Sequence, residues 1–122
     1  MKQKKWKNKN FLTALLHSLN GIKNAFLIEK NIKIQCVFAV FAIVIGFLVD
    51  LTEIEWILLC LTIGIVLFAE LVNTSIEKVL DVYSEKYNEQ IKLAKDVASG
   101  AVLITAIMSC VVGAILFLPK MI

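Results

Sequence analysis

The amino-acid sequence predicts an all-α integral membrane protein, with an N-terminal amphipathic surface helix followed by three transmembrane helices. The 122-residue chain is 59% hydrophobic and contains a single proline, and its mean hydropathy is +0.81. This composition is too apolar for an ordinary small soluble domain. Charged residues are absent from three segments, residues 34–49, 56–69 and 97–118. We expect residues 1–122 to form a single domain.

The first predicted element is a surface helix at residues 11–30, behind a basic start at residues 1–10. Large apolar residues recur at helical spacing on one face: Phe11, Leu15, Leu19, Ile22 and Phe26. Polar residues lie on the opposite face: Thr13, His17, Asn20 and Asn24. An amphipathic helix behind a cluster of lysines is suited to the anionic inner surface of a membrane. The apolar face could also pack on the protein's own transmembrane helices, and the two arrangements are compatible.

The three charge-free segments predict transmembrane helices at residues 33–50, 55–81 and 96–118. Only the last segment reaches on its own the roughly 20 apolar residues that span a bilayer. The first can be extended because the side chains of Lys33 and Asp50 can reach the membrane surface from its two ends. The second can continue into the polar residues that follow it, provided that they face protein or water rather than lipid.

The distribution of lysine predicts the orientation in the membrane, since the sequence has no arginine. Eight lysines lie before or at the start of the first predicted span, and four lie between the end of the second charge-free segment and the third span: Lys78, Lys86, Lys92 and Lys95. The link between the first two spans has only acidic charges, and the tail after the third has only Lys120. Because positive charge is enriched on the cytoplasmic side, we expect a multi-pass protein of the cell membrane with a cytoplasmic N-terminus and an external C-terminus.

The stretch AELVNTSIEKVLD, residues 69–81, places several carboxylates at the end of the most apolar run. At 100° per residue, one stripe about 100° wide on a helix collects Glu70, Asn73, Thr74, Glu77 and Asp81. Glu70 follows Trp56 by about 21 Å along a helix, so it lies near the cytosolic edge of the bilayer core. A carboxylate there is unfavourable unless it is paired, protonated or bound to a cation.

Periodicity alone leaves three interpretations of this stripe open. It could be a polar seam between helices, with Glu77 and Asp81 paired to lysines. It could be an ion or proton pathway. It could also be a catalytic site in which one carboxylate is the base and others hold a divalent metal such as Mg²⁺.

Neighbouring polar groups favour a site over a pathway. Lys95, Asp96 and Ser99 begin the third span at the same membrane edge, and Glu29 ends the surface helix there. A conduction route needs polar groups deeper in the membrane, where the first two spans offer only Thr62. The nucleotide-binding patterns GxxxxGK[ST] and GxGxxG are missing, so these features do not by themselves indicate a kinase.

The stretch AELVNTSIEKVLD, followed by AKDVASGAVLITAI, resembles the family of small bacterial diacylglycerol kinases and undecaprenol kinases, which are integral membrane enzymes. The similarity runs from about Leu19, through NGIKNAF and Glu29, to FLP at residues 117–119. It implies a homotrimeric helical bundle with active sites between subunits. It also implies that ATP, with Mg²⁺ as cofactor, phosphorylates a membrane lipid alcohol. We expect no nucleic-acid partner.

The resemblance implies catalytic roles for four residues. Glu70 matches the general base that takes the proton from the lipid hydroxyl as it attacks the γ-phosphate of ATP. Asn73 matches the amide that positions the reacting groups, and Lys95 and Asp96 match the pair that contacts the nucleotide and the reaction centre. Such residues suit phosphoryl transfer, which depends on positioning and charge neutralisation.

The resemblance implies cofactor binding by an overlapping set of residues. Glu29 and Glu77 match the two carboxylates that hold the Mg²⁺ bridging the nucleotide phosphates, and they are the predicted metal ligands. Asp81 matches an acid near the nucleotide, which Lys95 and Asp96 also contact.

The predicted lipid is undecaprenol. The tail VVGAILFLPK and the turn TEIEW look more like the Gram-positive branch of the family, whose members often convert undecaprenol to undecaprenyl phosphate. The alternative substrate is diacylglycerol, which would give phosphatidic acid. A more remote alternative is a non-enzymatic small membrane protein that conducts ions or acts as a scaffold.

Overall fold

The computed structural model describes residues 10–122. These residues form four helices and no strand: α1 (Phe11–Ile28), α2 (Lys30–Leu48), α3 (Glu53–Tyr83) and α4 (Glu89–Met121). Helices α2, α3 and α4 are long and apolar enough to cross a membrane. The predicted all-α fold with three membrane-spanning helices is therefore confirmed, whereas the predicted trimer stays a prediction. Of the predicted basic start, residues 1–9 lie outside the described part of the chain.

Helix α1 leaves its apolar face uncovered. Asn10 caps its start, because the side-chain oxygen accepts a hydrogen bond of 2.9 Å from the backbone nitrogen of Thr13. Every large apolar side chain of α1 is exposed in the single chain, and Ala25 is its only buried residue. The helix contacts α2 and α3. This exposure favours placement of the apolar face on the membrane surface over packing along the protein's own helices.

Glu29 separates α1 from α2 by a single residue in extended conformation, with φ −108° and ψ 115°. Its backbone nitrogen still donates to the backbone oxygen of Ala25 at 2.9 Å, which closes the last turn of α1. Helix α2 begins at the next residue, Lys30. The bend between the two helices therefore carries a carboxylate.

The turn after α2 folds Leu51 back onto Gly46. Asp50 has a φ of 55°, in the left-handed region that Asp tolerates better than most residues other than glycine. The backbone nitrogen of Leu51 donates to the oxygen of Gly46 at 3.3 Å, the hydrogen bond of a Schellman motif. The ring of Trp56 lies 2.8 Å from the point where a Cβ of residue 46 would stand. The glycine thus lets Trp56 approach the backbone of α2.

The same end of the bundle, which we call the outer end after its predicted orientation, also joins α3 to α4. Thr52 and Glu55 form a capping box at the start of α3, with hydrogen bonds of 3.1 and 3.3 Å. Lys120, near the end of α4, forms a salt bridge of 3.2 Å with Glu55. A cluster of buried leucines lies beside these contacts: Leu51, Leu59 and Leu116. The outer end therefore combines apolar packing with an ion pair.

The opposite, inner end holds the α3–α4 link at residues 84–88. The side chain of Asn88 caps α4 by accepting hydrogen bonds of 2.8 Å from the backbone nitrogen of Gln90 and 3.3 Å from that of Ile91. Helix α4 begins at Glu89, before the predicted start of the third span at residue 96. The helix is therefore longer than the span, and it already includes the residues just before that start.

We predict that Gly46→Ala destabilises the protein relative to Gly64→Ala. Both substitutions remove a helical glycine, so both gain the same helix propensity. A Cβ at position 46 would meet the Trp56 ring at 2.8 Å, whereas nothing lies within 4 Å of one at position 64. Overpacking of this kind costs about 1–3 kcal/mol. Thermal unfolding in detergent should therefore show a lower midpoint for Gly46→Ala, and equal midpoints would contradict the tight packing at Trp56.

Candidate active site

The polar stripe of α3 passes from buried to exposed along the helix. Glu70 is only 3% exposed, and Thr74 is also buried. Asn73 and Glu77 are half-buried, and Asp81 is exposed. The hydroxyl of Thr74 donates to the backbone oxygen of Glu70 at 2.9 Å. Because α3 is one continuous helix from Glu53 to Tyr83, the stripe predicted from the periodicity lies on a single rigid element.

Two carboxylates, Glu29 and Glu77, lie within electrostatic range of the buried Glu70. The negative charges of Glu29 and Glu77 both act on Glu70, so the bend after α1 brings Glu29 close to the stripe. Within residues 10–122, none of these three carboxylates takes part in a salt bridge. Like charges in a partly desolvated position repel one another, and a bound cation or a proton relieves that repulsion. The polar-seam interpretation therefore has no salt bridge at Glu77, whereas the pair it expects at Asp81 is formed with Lys95.

Asn73 contributes an amide with an unused acceptor. Its side-chain nitrogen donates to Glu77 Oε1 at 3.3 Å. Its side-chain oxygen is buried and, in the part of the chain that the structure describes, has no hydrogen-bond partner. Leaving a buried acceptor unsatisfied is unfavourable. This oxygen is therefore available to a donor or a cation in the same place as the carboxylates.

Two ion pairs involve the basic residues near the start of α4. Lys95 Nζ lies 2.7 Å from Asp81 Oδ1, which joins α4 to the stripe, and the charge of Glu77 also acts on Lys95. Lys92 Nζ lies 2.7 Å from Asp96 Oδ2 within α4. The structure thus brings Lys95 to the stripe, whereas the ion pair of Asp96 is with a residue of its own helix.

The donor set fits a hard divalent cation in part. Among the described residues, no three His, Cys, Asp or Glu side chains surround a common point. Glu29 and Glu77 nevertheless supply carboxylates that form no salt bridge, and Asn73 supplies an amide oxygen without a hydrogen-bond partner. Mg²⁺ at nucleotide sites is typically held by one or two carboxylates, with phosphate oxygens and water as its other ligands. The residues present are compatible with that arrangement.

Helices α2, α3 and α4 line a half-open apolar cavity of about 390 Å³ that sequence patterns did not predict. Its α3 lining includes Leu59, Val66 and Leu67, the last one turn from Glu70. The hydroxyl of Thr62 in the lining donates to the backbone oxygen of Leu58 at 2.7 Å. The lining hydroxyl of Ser109 likewise donates to its own helix. Since these donors are already satisfied, the cavity suits a hydrocarbon chain beside the buried carboxylate.

A second, more polar pocket of about 710 Å³ lies at the α3–α4 link. Lys78, Asp81 and Lys86 line it. It opens where α3 becomes exposed, so a water-soluble anion can reach it without crossing apolar surface. The two pockets lie at opposite ends of the stripe.

Comparison with known proteins agrees with the predicted resemblance. The family described as prokaryotic diacylglycerol kinase matches residues 16–117. An undecaprenol kinase of Bacillus subtilis is 38% identical over 111 residues, which are 91% of this chain and 90% of that protein. A diacylglycerol kinase of Synechocystis sp. is 36% identical over 113 residues, 92% of this chain and 65% of that protein. A diacylglycerol kinase of Helicobacter pylori is 35% identical over 96 residues, 79% of this chain and 75% of that protein.

The matched region includes the bend at Glu29, the whole stripe and Lys95. The family match spans well over half of the chain, and these relatives are named as kinases of membrane lipids. The chain therefore belongs to the prokaryotic diacylglycerol kinase family, a family of membrane lipid kinases.

Proposed function

We propose that this chain transfers the γ-phosphoryl group of ATP to the hydroxyl of undecaprenol, with Mg²⁺ as cofactor. The observation that carries the proposal is the group of carboxylates at the inner end. Glu70 is buried, and Glu29 and Glu77 are close enough for their charges to act on it. Glu70 lies near an apolar cavity and directly after the charge-free segment of α3. A lipid hydroxyl and a phosphate can therefore meet at this depth.

In this proposal Glu70 is the general base. Its carboxylate accepts the proton of the lipid hydroxyl while the hydroxyl oxygen attacks the γ-phosphorus. A new bond forms between that oxygen and phosphorus as the bond from phosphorus to the β,γ-bridging oxygen breaks, and ADP leaves. Burial of Glu70 favours transfer to lipid over transfer to water, because little water reaches the base. Asn73, one turn away, orients the reacting groups.

In this proposal, residues around Glu70 neutralise the charge of the nucleotide phosphates. Glu29 and Glu77 would hold Mg²⁺, which when bound neutralises phosphate charge and orients the transferred group. Lys95 supplies positive charge to phosphate, and Asp96 contacts the nucleotide beside it. Asp81 belongs to the nucleotide-binding set at the exposed end of the stripe. Phosphoryl transfer needs little more than such positioning and electrostatic stabilisation.

The choice of undecaprenol is supported by the relatives. The undecaprenol kinase of Bacillus subtilis shares 38% identity and 90% of its length with this chain. The diacylglycerol kinases of Synechocystis sp. and Helicobacter pylori share 36% and 35% identity over 65% and 75% of their lengths. Diacylglycerol is the second candidate, because the family and these two relatives are named for it.

We further propose that the protein is a homotrimer of the cell membrane, with active sites between subunits and a cytoplasmic N-terminus. Large apolar side chains of all three spanning helices are exposed in the single chain, among them Phe38, Phe68 and Ile104. Such faces are covered by lipid or by neighbouring copies. Of the eight lysines within residues 10–122, all but Lys120 lie on the side of the inner end, which supports its cytoplasmic placement.

We predict that the purified protein in lipid, supplied with Mg²⁺ and labelled ATP, phosphorylates undecaprenol with a higher kcat/KM than diacylglycerol. The two lipids should be assayed side by side, with matched detergent and surface concentration. A higher value for diacylglycerol would reassign the substrate. Absence of turnover with any lipid alcohol would contradict the kinase proposal.

We predict that Glu70→Gln lowers turnover by about 10²–10⁴-fold, the usual contribution of a general base. The control is Glu53→Gln, which makes the same change in an exposed residue at the far end of the same helix. Gel filtration should be unchanged in both variants, and neither should have a lower thermal unfolding midpoint than the wild type. Full activity of Glu70→Gln would exclude the role as base. Loss of assembly would support the polar-seam interpretation instead.

We predict that Glu29→Gln and Glu77→Gln each raise the Mg²⁺ concentration needed for half-maximal activity by about tenfold or more, as loss of a metal contact does elsewhere. Glu53→Gln again serves as the control. The measurement is a Mg²⁺ titration at saturating ATP, so that a change in ATP binding is not mistaken for a change in metal binding. An unchanged titration curve would remove these residues as ligands.

A further inference from the structure

The salt bridge between Lys95 and Asp81 joins the two helices that meet at the inner end. Lys95 Nζ lies 2.7 Å from Asp81 Oδ1, and the two side chains are 39% and 56% exposed. Asp81 lies in the last turns of α3, and Lys95 lies more than one turn into α4. Among residues 10–122 no other salt bridge connects α3 and α4 at this end.

This contact draws the lysine ammonium toward the exposed end of the stripe. Asp81 lies about 16 Å beyond Glu70 along the helix, and one turn beyond Glu77. The charge of Glu77 also acts on Lys95, so the ammonium lies within the electrostatic range of two acids. Asp81 has a second cation within range, because the charge of Lys78 acts on it. If the salt bridge breaks, Lys95 and Asp81 therefore each still have an opposite charge within electrostatic range.

Exposed ion pairs are weak, and their partners exchange with other ions in solution. Phosphate groups carry more negative charge than a carboxylate, and lysine is a common phosphate ligand. The shallow, open pocket at the α3–α4 link is lined by Asp81 and Glu85 and by two lysines, Lys78 and Lys86. Asp81 and a nucleotide phosphate would thus compete for one ammonium group.

We propose that Asp81 is a positioning residue, which competes with the phosphates of ATP for Lys95 and influences nucleotide binding only through that lysine. The inference rests on the proposed function, in which Lys95 contacts the nucleotide. It gives Asp81 a role different from direct contact with the nucleotide. The two roles predict opposite changes in nucleotide affinity when the charge of Asp81 is removed.

The test measures binding of a non-hydrolysable ATP analogue with Mg²⁺ to the full-length protein in lipid, by calorimetry. Asp81→Asn should bind the analogue about two- to fivefold more tightly, the factor expected for release of an exposed ion pair. Asp81→Glu keeps the charge and should retain wild-type affinity. Glu89→Gln removes an exposed carboxylate at the start of α4 that forms no salt bridge, and it should leave affinity unchanged. In a Lys95→Met background, Asp81→Asn should have no effect.

Three results would overturn the inference. Weaker binding by Asp81→Asn would indicate direct contact with the nucleotide. An equal gain in Glu89→Gln would indicate a general effect of surface charge. A gain that persists in the Lys95→Met background would indicate that Asp81 repels phosphate directly. If the wild-type protein does not bind the analogue, the proposed function fails as well, so the two failures are distinguishable.

Discussion

The burial of one carboxylate, Glu70, with two further carboxylates within electrostatic range is the constraint on which the rest of the structure depends. Glu29 and Glu77 act on Glu70 from the bend after α1 and from the next turns of α3. No salt bridge within residues 10–122 compensates any of them. In water such a group would separate, but here each side chain is attached to a helix whose position is set by packing elsewhere. Helix packing elsewhere thus keeps like charges near one another at the inner end, and cation binding there would stabilise it.

The packing that resists this repulsion is concentrated at the other end of the bundle. Leu51, Leu59 and Leu116 form the buried cluster, Trp56 lies against Gly46, and Lys120 pairs with Glu55. These contacts join α2, α3 and α4 without using any residue of the stripe. The contacts that stabilise the fold and the polar residues of the stripe therefore lie at different positions along the helices. Such a separation is expected where a site must keep unfavourable charges together, since its residues contribute little to folding.

Much of this organisation could be predicted from the sequence, because helical geometry is simple. The stripe from Glu70 to Asp81 follows from a rotation of 100° per residue, and the three spans follow from charge-free segments. Family membership followed from short motifs that the comparisons confirm. The proposed roles of the stripe residues in catalysis rest on that resemblance and await the experiments.

Features that depend on how one helix packs on another were not predictable. Several lysines could have paired with Asp81, and the rotation of α4 about its axis selects Lys95. The sequence predicts that a helix ends near Glu29. It does not predict that Glu29 alone is extended and that the next helix begins directly after it. The apolar cavity has no sequence signature, because residues of three helices that are far apart in the chain line it.

The depth of the stripe explains why its residues change from buried to exposed along a single helix. A lipid tail cannot leave the hydrocarbon, and the phosphates of a nucleotide cannot enter it. The buried Glu70 lies beside the apolar cavity, while Asp81 lies at the polar pocket. A rigid helix fixes the spacing between these two positions more accurately than a loop would. In the proposed function, phosphoryl transfer from a soluble donor to a membrane alcohol would thereby be confined to the short stretch of α3 where its side chains change from buried to exposed.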